Sequence, residues 1–272
     1  MGSRAFREVT NSDAFPSSAE RGEPGGSVSA VAPASGYRCF RQFNEIPLAT
    51  LARSRSVITR SLAERFFPSD SLQDRLVREL GREKVLAVKE VLESFEFFQR
   101  VRKHVRSARV TDLCCGHGLC GILFALFERS VKKVTLIDQE EPASYERVLA
   151  CAGRVGPWVQ EKIEFRTLTM KKALGDVEAG SSVVATHACG VLSDRCIDYA
   201  LAAQGHIALM PCCYPNRRYE GPRAIQLALG TKLAFDIDRT YRLKAAGYRV
   251  RWDNIPEEIT AMNRILIGKR LI

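Results

Sequence analysis

Two carboxylates bracket a glycine-rich bend between residues 109 and 138. Arg109-Val-Thr-Asp-Leu113 reads as a short strand, which passes into Cys114-Cys-Gly-His-Gly-Leu-Cys-Gly121 before an apolar helix begins near Ile122. Gly116 and Gly118 let the backbone turn tightly and approach a ligand with no Cβ in the way. Twenty residues beyond Gly118, Asp138 closes the apolar strand Val134-Thr-Leu-Ile137, where a carboxylate can accept both hydroxyls of a ribose. A nicotinamide dinucleotide and an adenosyl sulfonium both suit this layout. The sulfonium carries no pyrophosphate, so it gains less from a bare helix N-terminus and more from nearby carboxylates. Asp112, immediately before the bend, therefore favours S-adenosylmethionine. Asp112, Cys114, Gly116, Gly118 and Asp138 form the expected cofactor-binding set.

Three further segments follow later strands. In Phe165-Arg-Thr-Leu-Thr169 no carboxylate is available for an adenine amino group, and Thr169, with Thr167 as the other candidate, is expected to substitute. Thr186-His-Ala-Cys-Gly-Val-Leu-Ser-Asp194 and Met210-Pro-Cys-Cys-Tyr-Pro215 follow the fourth and fifth strands. Ligands of open α/β sheets sit at the carboxyl ends of strands, so both segments are expected to border the acceptor. His187 suits proton acceptance near neutral pH, the alternative being a structural hydrogen bond. It is counted with the cofactor-binding and catalytic candidates, and Asp194, Cys212 and Tyr214 complete the catalytic set. Cys212 admits a covalent route in which its thiolate adds to a pyrimidine ring before methyl transfer. Arg217, Arg218, Tyr219 and Arg223 form a basic and aromatic stretch that suits phosphate contact and base stacking, or is a solvated loop.

The elements that must position these residues read as an α/β fold. From residue 108 onward apolar strands alternate with amphipathic helices, the pattern of a parallel sheet covered on both faces. Strands are predicted at 109–113, 133–137, 162–166, 182–187, 206–211, 247–253 and 263–271. Only a loop separates the last two, too short for a crossover helix, so they are predicted to pair antiparallel. The fold class is thus a Rossmann-like seven-stranded methyltransferase sheet with an antiparallel last strand, plus an N-terminal helical extension. Residues 1–36, rich in Ser, Gly, Pro and Ala, are predicted to be a disordered tail. Residues 37–107 form the extension, where Val85, Val88, Leu92, Phe95 and Phe98 recur at helical spacing. Residues 108–272 form the catalytic domain. The helix before the sheet ends in Arg100, Arg102, Lys103, His104 and Arg106, a cluster better explained by the preference of helix C-termini for cations than by phosphate binding.

Composition sets the outer bounds. Hydrophobic residues are 46% and charged residues 26% of 272, which supports a folded globular body. A net charge of +10 favours an acidic partner, nucleic acid above all. No run approaches the roughly 20 apolar residues needed to cross a bilayer, and no membrane association is expected. Nine cysteines lack both a disulfide framework and any C-x-x-C pair, so reduced thiols in a cytoplasmic or similarly reducing compartment are expected. Organellar targeting by the acidic N-terminal tail stays open. No structural metal is expected, because Cys114–Cys115 and Cys212–Cys213 are adjacent pairs, ill suited to one tetrahedral ion.

Asp112-Leu-Cys-Cys-Gly-His-Gly118, His187-Ala-Cys-Gly-Val-Leu-Ser-Asp194 and Pro211-Cys-Cys-Tyr214 together resemble one particular methyltransferase domain. It is shared by the glutathione S-transferase C-terminal domain-containing protein, methyltransferase-like proteins related to it, and the tRNA 2′-O-methyltransferases that act on the acceptor stem. The likeness covers roughly residues 80–272 and extends to Asp236-Ile-Asp-Arg239, Gly247-Tyr248 and Asn263-Arg-Ile-Leu-Ile-Gly268. The chain departs in having His117 where many relatives have Lys, and in showing no Cys/His zinc-finger segment. The resemblance implies a fold that binds S-adenosylmethionine and, through the tRNA enzymes, an RNA substrate methylated by direct displacement at oxygen or nitrogen. The other readings are cytosine-C5 methylation through Cys212, a protein or small-molecule acceptor, and a silent binding module.

Overall fold

The structure is a computed structural model, and it describes residues 36–45, 52, 54–215 and 221–271. Almost all of the predicted tail, together with Arg217, Arg218 and Tyr219, lies outside the described residues.

After a short 3-10 turn at Arg41–Asn44, the helices before the sheet among the described residues are α1 (Arg60–Phe66), α2 (Leu72–Glu83) and α3 (Val88–Val101). Side chains that satisfy otherwise unpaired backbone N–H groups set their starts. Thr59 accepts from the N–H of Leu62, Ser71 from Asp74, and the Glu90 carboxylate from Ala87. On α3 the buried positions Val88, Val91, Leu92, Phe95 and Phe98 follow the helical period and pack against the sheet side of the molecule.

The cationic end of α3 is consumed internally. Arg100 and Glu96 form a fully buried ion pair one helical turn apart. Glu96 also accepts backbone N–H bonds from Arg38, Cys39 and Phe40 at 2.9–3.2 Å, while Arg100 donates to the carbonyls of Gly36 and Asn254. Arg102 and Arg106 both bind the buried Glu128. These three arginines are cross-braces between the N-terminal helices and the sheet domain.

The sheet consists of β1 (Arg109–Leu113), β2 (Lys133–Asp138), β3 (Ile163–Thr167), β4 (Ser182–Ala185), β5 (Ile207–Leu209), β6 (Tyr248–Asn254) and β7 (Arg264–Arg270). Its order is β3-β2-β1-β4-β5-β7-β6. The first five strands pair in parallel, while β7 runs antiparallel to both β5 and β6, as the short connection between the last two strands requires. Interleaved with them are α4 (Leu119–Phe127), α5 (Ala143–Val155), α6 (Met170–Ala173), α7 (Leu192–Ala203) and α8 (Arg223–Ala245), the last interrupted at Gly230.

Because side chains alternate along a strand, Val183 and Val184 enter opposite apolar clusters. One cluster joins the sheet to α3, α4, α5 and the aromatic residues Phe40, Phe43 and Phe67. The N-terminal helices therefore share the core of the sheet rather than building their own. The other cluster packs β1, β4 and β5 against Cys196, Ile197, Tyr199 and Ala200 of α7. Strands β4 and β5 stop at Ala185 and Leu209, earlier than the sequence pattern predicts, which leaves 186–191 and 210–215 as loops at the carboxyl edge.

Candidate active site

A cavity of about 570 Å³ opens at the carboxyl ends of β1, β2, β3 and β4. That volume lies in the range of small-molecule and cofactor sites. Its floor is the bend after β1. Asp138 ends β2 on the cavity wall and holds the bend in place, since its Oδ2 accepts the N–H of Gly116 at 2.9 Å and its Oδ1 accepts that of Gln139 at 2.7 Å. Gly116 has φ +52°, and a Cβ there would meet no protein atom within 4 Å. Its backbone thus faces the open cavity. Cys114, also on the wall, adopts φ +54° without being glycine.

Asp112 and Gly118 serve the bend from behind, away from the cavity wall on which the sequence places them. Asp112 is completely buried, and its Oδ2 accepts the N–H of Gly121 at 2.8 Å, fixing the first turn of α4. Burial raises its carboxyl to about 7, against the lowering effect of the Gly121 bond, and Asp138 adds to the rise. Its Oδ1 is buried without a hydrogen-bond partner. Gly118 has φ +74°, and a Cβ would lie 2.8 Å from Leu136 Cδ1, so glycine here permits close packing of α4 on β2.

His117, which the sequence reading leaves without a role, lines the cavity. Its Nδ1 accepts the N–H of Leu119 at 3.1 Å, so the proton of the neutral ring sits on Nε2, and that atom is buried with no protein partner. Burial, with a smaller contribution from His187, lowers its pKa to about 3. The two imidazole centroids are 6.1 Å apart, and His187 also lines the cavity. The variable position inside a G-x-G bend carries no sequence signal, which is why His117 escapes notice.

Thr169 does not reach the cavity. It is exposed and caps α6 by accepting the Lys172 N–H at 3.4 Å, while its neighbours Leu168 and Met170 form the wall. An apolar slot thus takes the place of the expected hydroxyl. Val85, Leu86 and Glu90 close the opposite side, so the helical extension supplies part of the site. No local pattern points to them.

Asp194 and Tyr214 likewise stand outside the cavity lining, in a buried charge network. Arg239, 2% exposed, donates to Asp194 Oδ1 at 2.9 Å, to Asp236 Oδ1 at 3.3 Å and to the carbonyl of Gly190 at 3.4 Å. Asp236 Oδ2 in turn accepts from Tyr214 and Arg264, each at 2.5 Å. Burial first and Asp236 second push the Tyr214 hydroxyl well above its ordinary pKa. The network ties the loops after β4 and β5 to α8 and β7, so these residues brace the carboxyl edge of the sheet. Arg223 is exposed at the start of α8 and does not line the cavity.

The expectation of reduced thiols throughout is corrected at one place. Cys189, on the cavity wall, is joined to Cys212, their Cα atoms 5.6 Å apart. The partners are 23 residues apart in sequence and meet because β4 and β5 are neighbours. In this form Cys212 is not a free nucleophile.

A family model described as a methyltransferase domain matches residues 83–218. The glutathione S-transferase C-terminal domain-containing protein of Homo sapiens is 33% identical over 195 residues, covering 59% of this chain and 30% of that protein. The Drosophila melanogaster homolog is 25% identical over 200 residues, covering 59% and 33%. The chain thus spans about a third of the length of the curated relatives it matches. A solved protein from Corynebacterium glutamicum aligns with a TM-score of 0.48 at 14% identity, over 78% of this chain and 96% of that one. With half of its length matched by the family model, including the bend after β1, Asp138 and both carboxyl-edge loops, the chain belongs to the methyltransferase domain family.

Proposed function

We propose that the protein uses S-adenosylmethionine to methylate an oxygen or nitrogen atom of RNA. The observation that carries the cofactor reading is Asp138 on the cavity wall beside the bare backbone of Gly116. Each Asp138 oxygen already accepts one backbone N–H and keeps lone-pair capacity for a ribose hydroxyl. Leu168 and Met170 offer the apolar surface that an adenine ring needs. His117 Nε2–H supplies a donor for a carboxylate oxygen, and its neutrality avoids placing a second positive charge near the sulfonium. Bound here, S-adenosylmethionine supplies an electrophilic methyl group for in-line displacement.

The protein's part is then alignment and proton handling. His187, across from His117, is placed to accept the proton that the attacking hydroxyl or amine loses. The Asp236–Arg239 network holds the loop that carries it, through the bond from Arg239 to the Gly190 carbonyl. An RNA acceptor is supported by the net charge of +10 and by exposed Lys171 and Lys172, which follow the wall residue Met170 directly. The engagement of Cys212 with Cys189 favours direct displacement over a covalent cytosine route.

Incubation with total RNA and methyl-labelled S-adenosylmethionine, followed by digestion to nucleosides, tests both parts. Label on a ribose oxygen or a base nitrogen supports the proposal. Label at cytosine C5 overturns the mechanism, and label only in protein or small molecules overturns the substrate. Binding of the cofactor without any transfer identifies a silent module.

A further inference from the structure

Three sulfur atoms converge beside the cavity. The Sγ atoms of Cys189, Cys212 and Cys213 all lie within 4.8 Å of one another. Cys189 comes from the loop after β4, the other two from the loop after β5. In an extended chain, consecutive side chains point to opposite faces, and on that ground an adjacent cysteine pair is a poor chelate. The backbone here is not extended: it bends at Cys212 and Cys213, directly after β5, and turns both sulfurs toward Cys189. A disulfide needs two of these sulfurs and leaves Cys213 without a task. A thiophilic cation uses all three.

We propose that the reduced chain binds zinc through Cys189, Cys212 and Cys213. Reduction of the Cys189–Cys212 bond gives two thiols: a thiol pair supplies two electrons and two protons and becomes a disulfide, whereas a phosphine supplies the two electrons, water supplies the two protons, and the phosphine becomes its oxide. The three thiols then release their protons as they become thiolate ligands. Three thiolates this close repel one another, and a divalent cation relieves that repulsion. Sulfur donors select zinc over the oxygen-preferring cations. Among the described residues the group contains three protein donors, and on that count the fourth position of a tetrahedral ion is open to water or an incoming ligand atom, as in zinc sites that exchange ligands. Because Cys189 also lines the cavity, that position adjoins the acceptor side. The expectation of no metal, drawn from the adjacency of Cys212 and Cys213, is thereby reversed. The site stands independently of the cofactor assignment.

The test uses the full chain purified under a phosphine reductant. Elemental analysis is expected to find one zinc per chain. Cobalt(II) in its place is expected to give a sulfur-to-metal charge-transfer band. Cys213→Ser and Cys189→Ser are each expected to weaken zinc binding by more than about tenfold, whereas Cys39→Ser, whose thiol instead bonds Gln73, leaves it unchanged. Alkylation mapped by mass spectrometry provides a measurement on unmutated protein, in which zinc is expected to shield Cys189, Cys212 and Cys213 together. Absence of bound metal under reduction overturns the proposal, as does shielding of other cysteines or a cobalt band that survives Cys213→Ser. Persistence of the Cys189–Cys212 bond in the reduced preparation overturns it as well.

Discussion

Replacing Asp138 with Asn removes one negative charge while keeping size and shape. The carboxylate holds the N–H groups of Gly116 and Gln139 through its two oxygens, and an amide has only one oxygen with which to do so. In the variant, the amide NH2 therefore faces one backbone N–H donor to donor, and it can no longer accept from a ribose hydroxyl on that side. The cofactor loses about one hydrogen bond to a charged acceptor, worth ~1.5–3 kcal/mol. That corresponds to a dissociation constant for S-adenosylmethionine raised roughly 10- to 150-fold. Isothermal titration calorimetry measures it directly. Asp176→Asn provides the control, since this exposed carboxylate pairs only with Arg166 at the edge of the sheet. A dissociation constant for Asp138→Asn within twofold of the parent, with the melting temperature preserved, would refute the assignment of Asp138 to the ribose.

Four further outcomes are expected. A carboxyl held at about 7 instead of 3.8 binds its proton more tightly in the folded chain than in the unfolded one. Asp112 therefore lowers stability progressively as pH rises from about 4 to 7, by up to ~4 kcal/mol; Asp112→Asn should flatten urea-denaturation stability across that window, and parallel pH curves would show that its proton affinity is ordinary. Gly118→Ala places a side chain at φ +74° and against Leu136, at an expected cost of ~1–3 kcal/mol, read as a fall in melting temperature; an unchanged melt would remove the packing argument. Glu96→Gln takes from the buried Arg100 a carboxylate nearer than that of Asp253, which lies at 3.9 Å, and should destabilise by up to ~3–5 kcal/mol in chemical denaturation. Asp70→Asn, at the exposed end of its pair with Arg78, should change stability by less than ~1 kcal/mol.

Much of the frame is written locally. The central strands are short apolar runs and the edge strands β3 and β6 alternate apolar with polar residues, and the observed strands fall within about a residue of the predicted starts because the signal lies in the strand itself. The reversal of β7 is equally legible, since the link from β6 is too short to cross over. Asp138 is found because strand, bend, helix and second strand occupy a nearly constant length of chain, which carries a carboxylate to the same edge as the glycines. Tertiary structure decides what lies between such units. Tyr214 sits in the expected loop and Asp194 in the first turn of α7, yet Arg239 and Asp236, remote in sequence, draw them into a buried network. His117 matters because its Nε2 is enclosed, a property of the surrounding walls. Val85, Leu86 and Glu90 join the cavity only because the N-terminal helices dock on the same core. Cys189 meets Cys212 and Cys213 because β4 and β5 are adjacent and the chain bends after β5. Spacing along the chain encodes which residues share an element and an edge. Which side chains touch depends on the order and register in which those elements assemble, and that order follows from burying all of the apolar faces at once.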